Sequence, residues 1–233
     1  EKSGSTNRAG FSADGMTQSN MGVAVGDYDN DGLVDLLTTT FSEDYSPLFH
    51  QRSPFLFDEI AIQSGLGAAT RPWVGWACGF TDFDNDGHRD LWMANGHVYP
   101  NADKLASTSY LQPVSIFANR AGKFVRSETA IGGIGKNSYR GGCAGDFNND
   151  GKIDLVITPI SGAPLLLENR TASNAHWIAL HLRGRHGNRD AIGSQVQIEA
   201  CGISQTETVR NGGSYLSVDD PRIHFGLGSD RKS

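Results

Sequence analysis

Apolar residues in this chain fall in short runs bounded by Gly, Pro, Asn and Ser, and no stretch keeps a helical spacing of apolar positions through three turns. The runs are grouped. A Gly/Ala-rich strand ("MGVAVGD", "VGWACGFTD", "RGGCAGD") leads into an acidic loop, and an apolar run follows it ("DLLTTTF", "DLWMAN", "DLVITPI"). A third strand comes next ("PLFHQ", "SIFANR", "PLLLENR"), and in the first two units a fourth ("FLFDEIAI", "KFVRSETAI"). The loops begin at Asp27, Asp82 and Asp146, and a Gly-apolar pair precedes each: Gly10-Phe11, Gly65-Leu66 and Gly133-Ile134. Four short strands to a unit of roughly sixty residues predict a β-propeller blade.

Propellers usually close with about 4–8 blades, and only three units are visible here. The third passes from "LLLENRT" into a different pattern without its fourth strand. The expected fold is therefore all-β, a partial β-propeller whose three blades belong to a larger ring or are completed by a neighbouring subunit. From Trp177 to Ser233 the pattern changes to period-two alternation ("WIALHLRG", "SQVQIEA", "SQTETVR") with Gly-containing turns, which predicts a small C-terminal β domain. The boundary is expected near Thr171–Asn174, giving blades over 1–171 and a tail domain over 172–233.

Composition narrows the partners. The net charge of −6 and the lack of a basic stripe argue against nucleic acid, and no apolar run approaches the ~20 residues of a membrane span. The chain shows no leader segment, so any signal peptide is expected to lie outside it. The three loops hold 11 of the 26 acidic side chains. Cys78, Cys143 and Cys201 show no metal or redox spacing and are expected to be small buried apolar residues.

The loops carry the chemistry. Counting from the first Asp, positions 1, 3, 5 and 9 are Asp27, Asp29, Asp31 and Asp35, then Asp82, Asp84, Asp86 and Asp90, then Asp146, Asn148, Asp150 and Asp154. A hard cation such as Ca²⁺ takes roughly 6–8 oxygens, and side chains at alternate positions of a tight loop can converge on one point. Position 6 is Gly32, Gly87 or Gly151, which permits the turn. Position 7 would offer a backbone carbonyl from Leu33, His88 or Lys152, whose unlike side chains suit a site using the main chain. Tyr28, Phe83 and Phe147 at position 2, and Leu36, Leu91 and Leu155 at position 10, are expected to anchor the loop. Position 12 is Thr38, Met93 or Ile157, not the bidentate Glu of an EF-hand. Three calcium sites follow as the expectation, with the third weakest because Asn148 removes one charge.

The loops in this strand setting resemble the FG-GAP or VCBS-type repeats of integrin-like propellers. "NAHWIALHLRG", "NRDAIGSQVQIEA" and "VRNGGSYLSVDDPRIHFGLG" resemble the ASPIC/UnbV domain. Together with "NGHVYP" they are similar to the cartilage acidic protein family and its bacterial relatives. The resemblance implies an extracellular or secreted protein, at a cell surface or in a periplasm, used as an adhesion or binding scaffold. It also implies a propeller of more blades and a tail continuing into a Trp-Pro-Ser-Gly strand, so both ends look truncated against the family.

Catalytic signatures are lacking: there is no G-x-S-x-G elbow, H-E-x-x-H helix or P-loop. The expected function is thus a calcium-stabilised scaffold, non-enzymatic, that meets a protein or glycan partner or copies of itself through open blade edges. The alternative is an enzyme or biosynthetic accessory protein with a site in the central channel. His97 and Tyr99 could present a polar rim site, though a self-ordered loop explains them as well. Asp219-Asp220 read as turn and ion-pair residues, and the Asn169 sequon is a weak sign of glycosylation.

Overall fold

The computed structural model describes residues 15, 17–105, 108–127 and 133–230, so Gly10-Phe11 lies outside the described residues. The first blade is a four-stranded antiparallel sheet of β1 (Val23–Gly26), β2 (Asp35–Thr38), β3 (Leu48–Ser53) and β4 (Leu56–Glu59), in that order. Two short helices, α1 (Ala61–Ser64) and α2 (Leu66–Thr70), lead out of it. Gly65 joins them at φ 92°, and Leu66 beside it is fully buried. This Gly-apolar pair therefore turns the chain between blades.

The second blade repeats the sheet with β5 (Gly75–Thr81) and β6 (Asp90–Asn95), a helical turn α3 (Ala102–Leu105), then β7 (Ser115–Arg120) and β8 (Lys123–Arg126). Among the described residues the third has β9 (Tyr139–Gly145), β10 (Asp154–Pro159) and β11 (Leu165–Leu167). Register repeats too: Leu36 faces Phe49 as Leu91 faces Phe117 and Leu155 faces Leu167. The architecture is all-β and propeller-like, and among the described residues the third blade has three strands.

Each blade's first strand lies against that of its neighbour, β1 on β5 and β5 on β9. This close approach explains the glycines of those strands. Trp92 lies between Gly79 and Gly142, where an added Cβ would come within 2.6 and 2.7 Å of its ring. One apolar cluster joins blades one and two through Tyr28, Leu37, Leu91, Phe117 and Phe124. A second joins blades two and three through Phe83, Trp92, Tyr139, Leu155 and Ile157. Phe147 departs from its expected anchoring role: it is 47% exposed. Cys78 is buried as expected, but Cys143 is half-buried and Cys201 exposed, because Cys201 sits in a hairpin turn at φ 49°.

The rest forms two antiparallel pairs, β12 (His176–Leu180) with β15 (Ile223–Gly228), and β13 (Gln195–Ala200) with β14 (Ile203–Thr208). Ala200, Val209, Ile223, Phe225 and Leu227 form their own core. Residues 209–222 run along the inner strands of the blades: Arg210 donates to the Val25 carbonyl, Ser214 Oγ accepts from Cys78 N, and Ser217 Oγ accepts from Gly142 N.

Candidate metal centres

All three loops fold the same way. The position-1 carboxylate accepts N–H bonds from positions 5 and 6: Asp27 from Asp31 and Gly32 at 3.1 and 3.0 Å, Asp82 from Asp86 and Gly87 at 3.1 and 2.8 Å, Asp146 from Asp150 and Gly151 at 3.1 and 2.9 Å. Position 7 donates its N–H to position 5, Leu33 to Asp31, His88 to Asp86 and Lys152 to Asp150. Gly32, Gly87 and Gly151 adopt φ of 86°, 90° and 84°, the left-handed region that a Cβ disfavours, so glycine at position 6 permits the turn.

Position 9 closes the loop. Asp35 accepts from Tyr28 N and Gln51 N, Asp90 from Phe83 N and Asn119 N, and Asp154 from Phe147 N and Asn169 N. Both oxygens of each are thereby engaged by backbone, which ties the loop to the third strand of its own blade.

The remaining carboxylates converge. Oxygens of Asp27, Asp29 and Asp31 come within 4.8 Å of one another, and so do those of Asp82, Asp84 and Asp86. Within these triads Asp29 Oδ1 and Asp84 Oδ1 are buried and have no hydrogen-bond partner. Such an orphaned anionic oxygen calls for a counter-charge. The third loop differs at position 3. Asn148 Oδ1 accepts from Asp150 N and its Nδ2 donates to Asp150 Oδ2, so the amide itself satisfies the position-5 carboxylate.

Electrostatics follow. Burial pushes Asp82 up to about 8 and Asp90 to about 7, with neighbouring carboxylates adding to the shift. Burial likewise raises Asp35 to about 7, and it raises Asp27, Asp29 and Asp86. The oxygen-only triads of loops one and two can thus hold a metal ion, and the orphaned oxygens fit one.

Several contributors were not legible from spacing. His50, on the third strand of blade one, lies over the first loop: its Nδ1 is 3.3 Å from Asp29 Oδ2 and 3.2 Å from Asp35 Oδ1. The equivalent residue of blade two is Ala118, and there Arg120 approaches Asp84 and Asp86 at 3.9 and 4.0 Å. Position 4 is Asn in every loop, at φ near +60°. Asn30 Nδ2 donates to Gly87 O at 3.0 Å and Asn85 Nδ2 to Gly151 O at 2.9 Å, each reaching the loop of the next blade. Asn119 Nδ2 reaches back to Tyr28 O and Asn169 Nδ2 to Phe83 O, both at 2.8 Å. The sequon nitrogen of Asn169 is therefore an inter-blade donor, and a glycan there would break that bond.

His97 is a buried loop residue, its Nδ1 accepting from Tyr99 N and its carbonyl held by Ser138 and Arg140. Asp219 is more than a turn residue: its carboxylate accepts from Ala144 N and is raised by burial, whereas Asp220 pairs with Arg222. Between the inner strands and the C-terminal domain lies a cavity of about 580 Å³. Its three arginines are paired: Arg89 with Glu207 at 3.0 Å, Arg210 with Glu207, and Arg222 with Asp220, while Asp82, Asp146 and Asp219 also line it. No described helix is long and apolar enough to cross a membrane.

Residues 82–157 match the FG-GAP-like repeat family model, and residues 184–233 match the ASPIC and UnbV family model. The chain is 26% identical over 229 residues to cartilage acidic protein 1 of Xenopus tropicalis, covering 94% of this chain and 33% of the relative. It is also 26% identical over 245 aligned positions to human cartilage acidic protein 1, covering 97% and 33%. The chain thus spans about a third of the length of the curated relatives it matches.

Proposed function

We propose that this chain is a calcium-stabilised extracellular scaffold in which the cations stiffen propeller blades that present binding surfaces. The observation that carries the reading is the pair of orphaned oxygens, Asp29 Oδ1 and Asp84 Oδ1, buried among carboxylates with no other use for them. Asp27, Asp29, Asp31 and the Leu33 carbonyl would hold one ion. Asp82, Asp84, Asp86 and the His88 carbonyl would hold a second. Asp146, Asn148, Asp150 and the Lys152 carbonyl would hold a third and weaker one. Asp35, Asp90 and Asp154 close the three sites. The FG-GAP-like match and relatives named for cartilage support the extracellular, adhesive part.

The scaffold reading is preferred over a channel enzyme because residues 209–222 lie along the inner strands of the blades and the arginines of the cavity are paired with Glu207 and Asp220. The surface offered to a protein or glycan, or to another copy, is the edge of the third blade. Among the described residues β11 has no strand on its outer side, and Leu166 there is 65% exposed. Unpaired edges of this kind recruit strands.

Isothermal calorimetry with CaCl₂ on the metal-stripped chain, paired with melting curves in chelator, tests the cation. Binding at about 10⁻⁴–10⁻³ M, the range of extracellular modules, is expected together with a higher melting temperature. No heat and an unchanged melt would remove the sites, and a submicromolar constant would overturn the constitutive role.

A further inference from the structure

The second and third loops face the C-terminal domain with their backbones. Gly228 N donates to Asn85 O at 2.8 Å, and Ser173 Oγ to Asp84 O at 2.7 Å. Gly226 lies so close that an added Cβ would sit 2.1 Å from Asp82 Oδ2. At the third loop Arg222 donates to Asp146 O and Asn149 Oδ1, both at 2.7 Å, and the Trp177 ring covers Gly151. At the first loop Arg89 donates to Asp27 O at 3.0 Å while pairing with Glu207 of the C-terminal domain. Arg89 and Arg222 do the same job, a guanidinium on a position-1 carbonyl. One comes from the next blade, the other from the C-terminal domain, so the domain makes the contact that a following blade makes elsewhere.

We propose that cation loading of the second loop seats the C-terminal domain across the inner strands of the blades; this rests on the cation reading above. The atoms the domain grips are backbone groups of positions 1, 3 and 4, the same residues whose side chains, or whose immediate neighbours' side chains, converge on the ion. Without a counter-charge the three carboxylates of the second loop, within 4.8 Å of one another, repel, and relaxing them moves the gripped carbonyls of Asp84 and Asn85. With it the loop holds one shape and the seat is formed. Linkage makes the effect reciprocal: seating raises the affinity of the second loop for the ion.

Cys78 reports the seat, because it is 2% exposed under the C-terminal segment, with Ser214 Oγ on its amide at 2.8 Å. In the full chain carrying Cys201→Ser, maleimide labelling of Cys78, resolved from Cys143 by peptide mass spectrometry, is followed in saturating calcium and in chelator. Labelling is expected to be at least about tenfold faster in chelator, as for local opening with the blades intact, while the circular dichroism of the strands is unchanged. Asp84→Asn should label fast even in calcium, whereas Asp29→Asn should lose an ion yet keep Cys78 protected. Arg222→Gln, which touches no ion-binding carboxylate, should label fast with calcium stoichiometry unchanged. Equal protection with and without calcium, in a chain that calorimetry shows to bind it, refutes the coupling and leaves the cation sites standing. Absence of binding removes both, and labelling that rises only with loss of strand signal shows global unfolding instead and also refutes the proposal.

Discussion

The second loop gives the sharpest link between charge and stability. In the metal-free chain Asp82 is pushed up to about 8 by burial, against an ordinary carboxylate value of 3.8, and Asp90 and Asp35 to about 7. A folded-state value above the unfolded one means that the folded chain holds the proton more tightly. The stability this brings is complete below about pH 4 and is lost as pH rises through 7 and 8. Each pH unit between the two values is worth about 1.4 kcal/mol for one group. Asp82 alone, nearly out of solvent, therefore costs the metal-free chain about 3 kcal/mol between pH 5 and 7.5. In a chain of this size that corresponds to a fall of about 6–12 °C in melting temperature. Asp220 acts in a different window: Arg222 holds its value down, so its contribution fades only as pH falls below about 4. The assay is differential scanning fluorimetry from pH 5 to 8 in chelator and in millimolar calcium, on wild type and Asp82→Asn. The wild-type melt should fall with pH in chelator, flatten in calcium, and lose much of its slope in the variant. A chelated melt that is flat or rises with pH, or a variant with the full slope, would refute the electrostatic account of the loop.

Gly32→Ala and Gly151→Ala place the same change at equivalent positions, at φ 86° and 84°. Nothing lies within 4 Å of a Cβ at the first, whereas the Trp177 ring is 1.7 Å away at the second. Chemical denaturation should show a loss of about 1 kcal/mol for the first, from backbone strain alone, and at least about 3 kcal/mol for the second. Asn119→Ala removes donors to Tyr28 O and Arg89 O and the acceptor for Gly122 N inside a buried site, so urea unfolding should show about 2–4 kcal/mol lost. Asn169→Ala, which gives up fewer buried bonds, should lose about half of that. Asn148→Asp restores the missing carboxylate of the third loop and should tighten its calcium binding about tenfold by calorimetry.

The blade was readable because its signals are local. Loop spacing, glycines and alternation sit within one unit, and the structure shows the same strands in the same order. What escaped depends on contacts between units. Asn119 and Asn169 sit in the runs "SIFANR" and "PLLLENR", and nothing within those runs shows that each bonds to the loop of the preceding blade. His50 is 15 residues past Asp35, and only strand pairing returns it to the first loop. Arg222 lies in a tail whose period-two pattern describes its own sheets and says nothing about the blade it would grip. Phe147 follows the aromatic pattern of Tyr28 and Phe83 but ends up exposed, because Tyr28 stacks on Phe80 and Phe124 of the next blade, whereas among the described residues no blade follows the third.

The alternation inside each loop assigns two duties to neighbouring residues. In the first two loops positions 1, 3 and 5 turn their side chains inward, toward one another. Position 4, an Asn near φ +60°, turns outward and bonds to the glycine carbonyl of the next loop, Asn30 to Gly87 and Asn85 to Gly151. Arg89 and Asn119 return bonds to Asp27 and Tyr28 of the loop before. A loop that loosens therefore shifts the joint on both sides of its blade, and the glycine carbonyl that accepts from one neighbour follows directly on the position-5 carboxylate. A cation held at such a place acts on the whole array of blades and not on one turn. The acidic triads of the first two loops therefore sit where a change in charge reaches more than one blade.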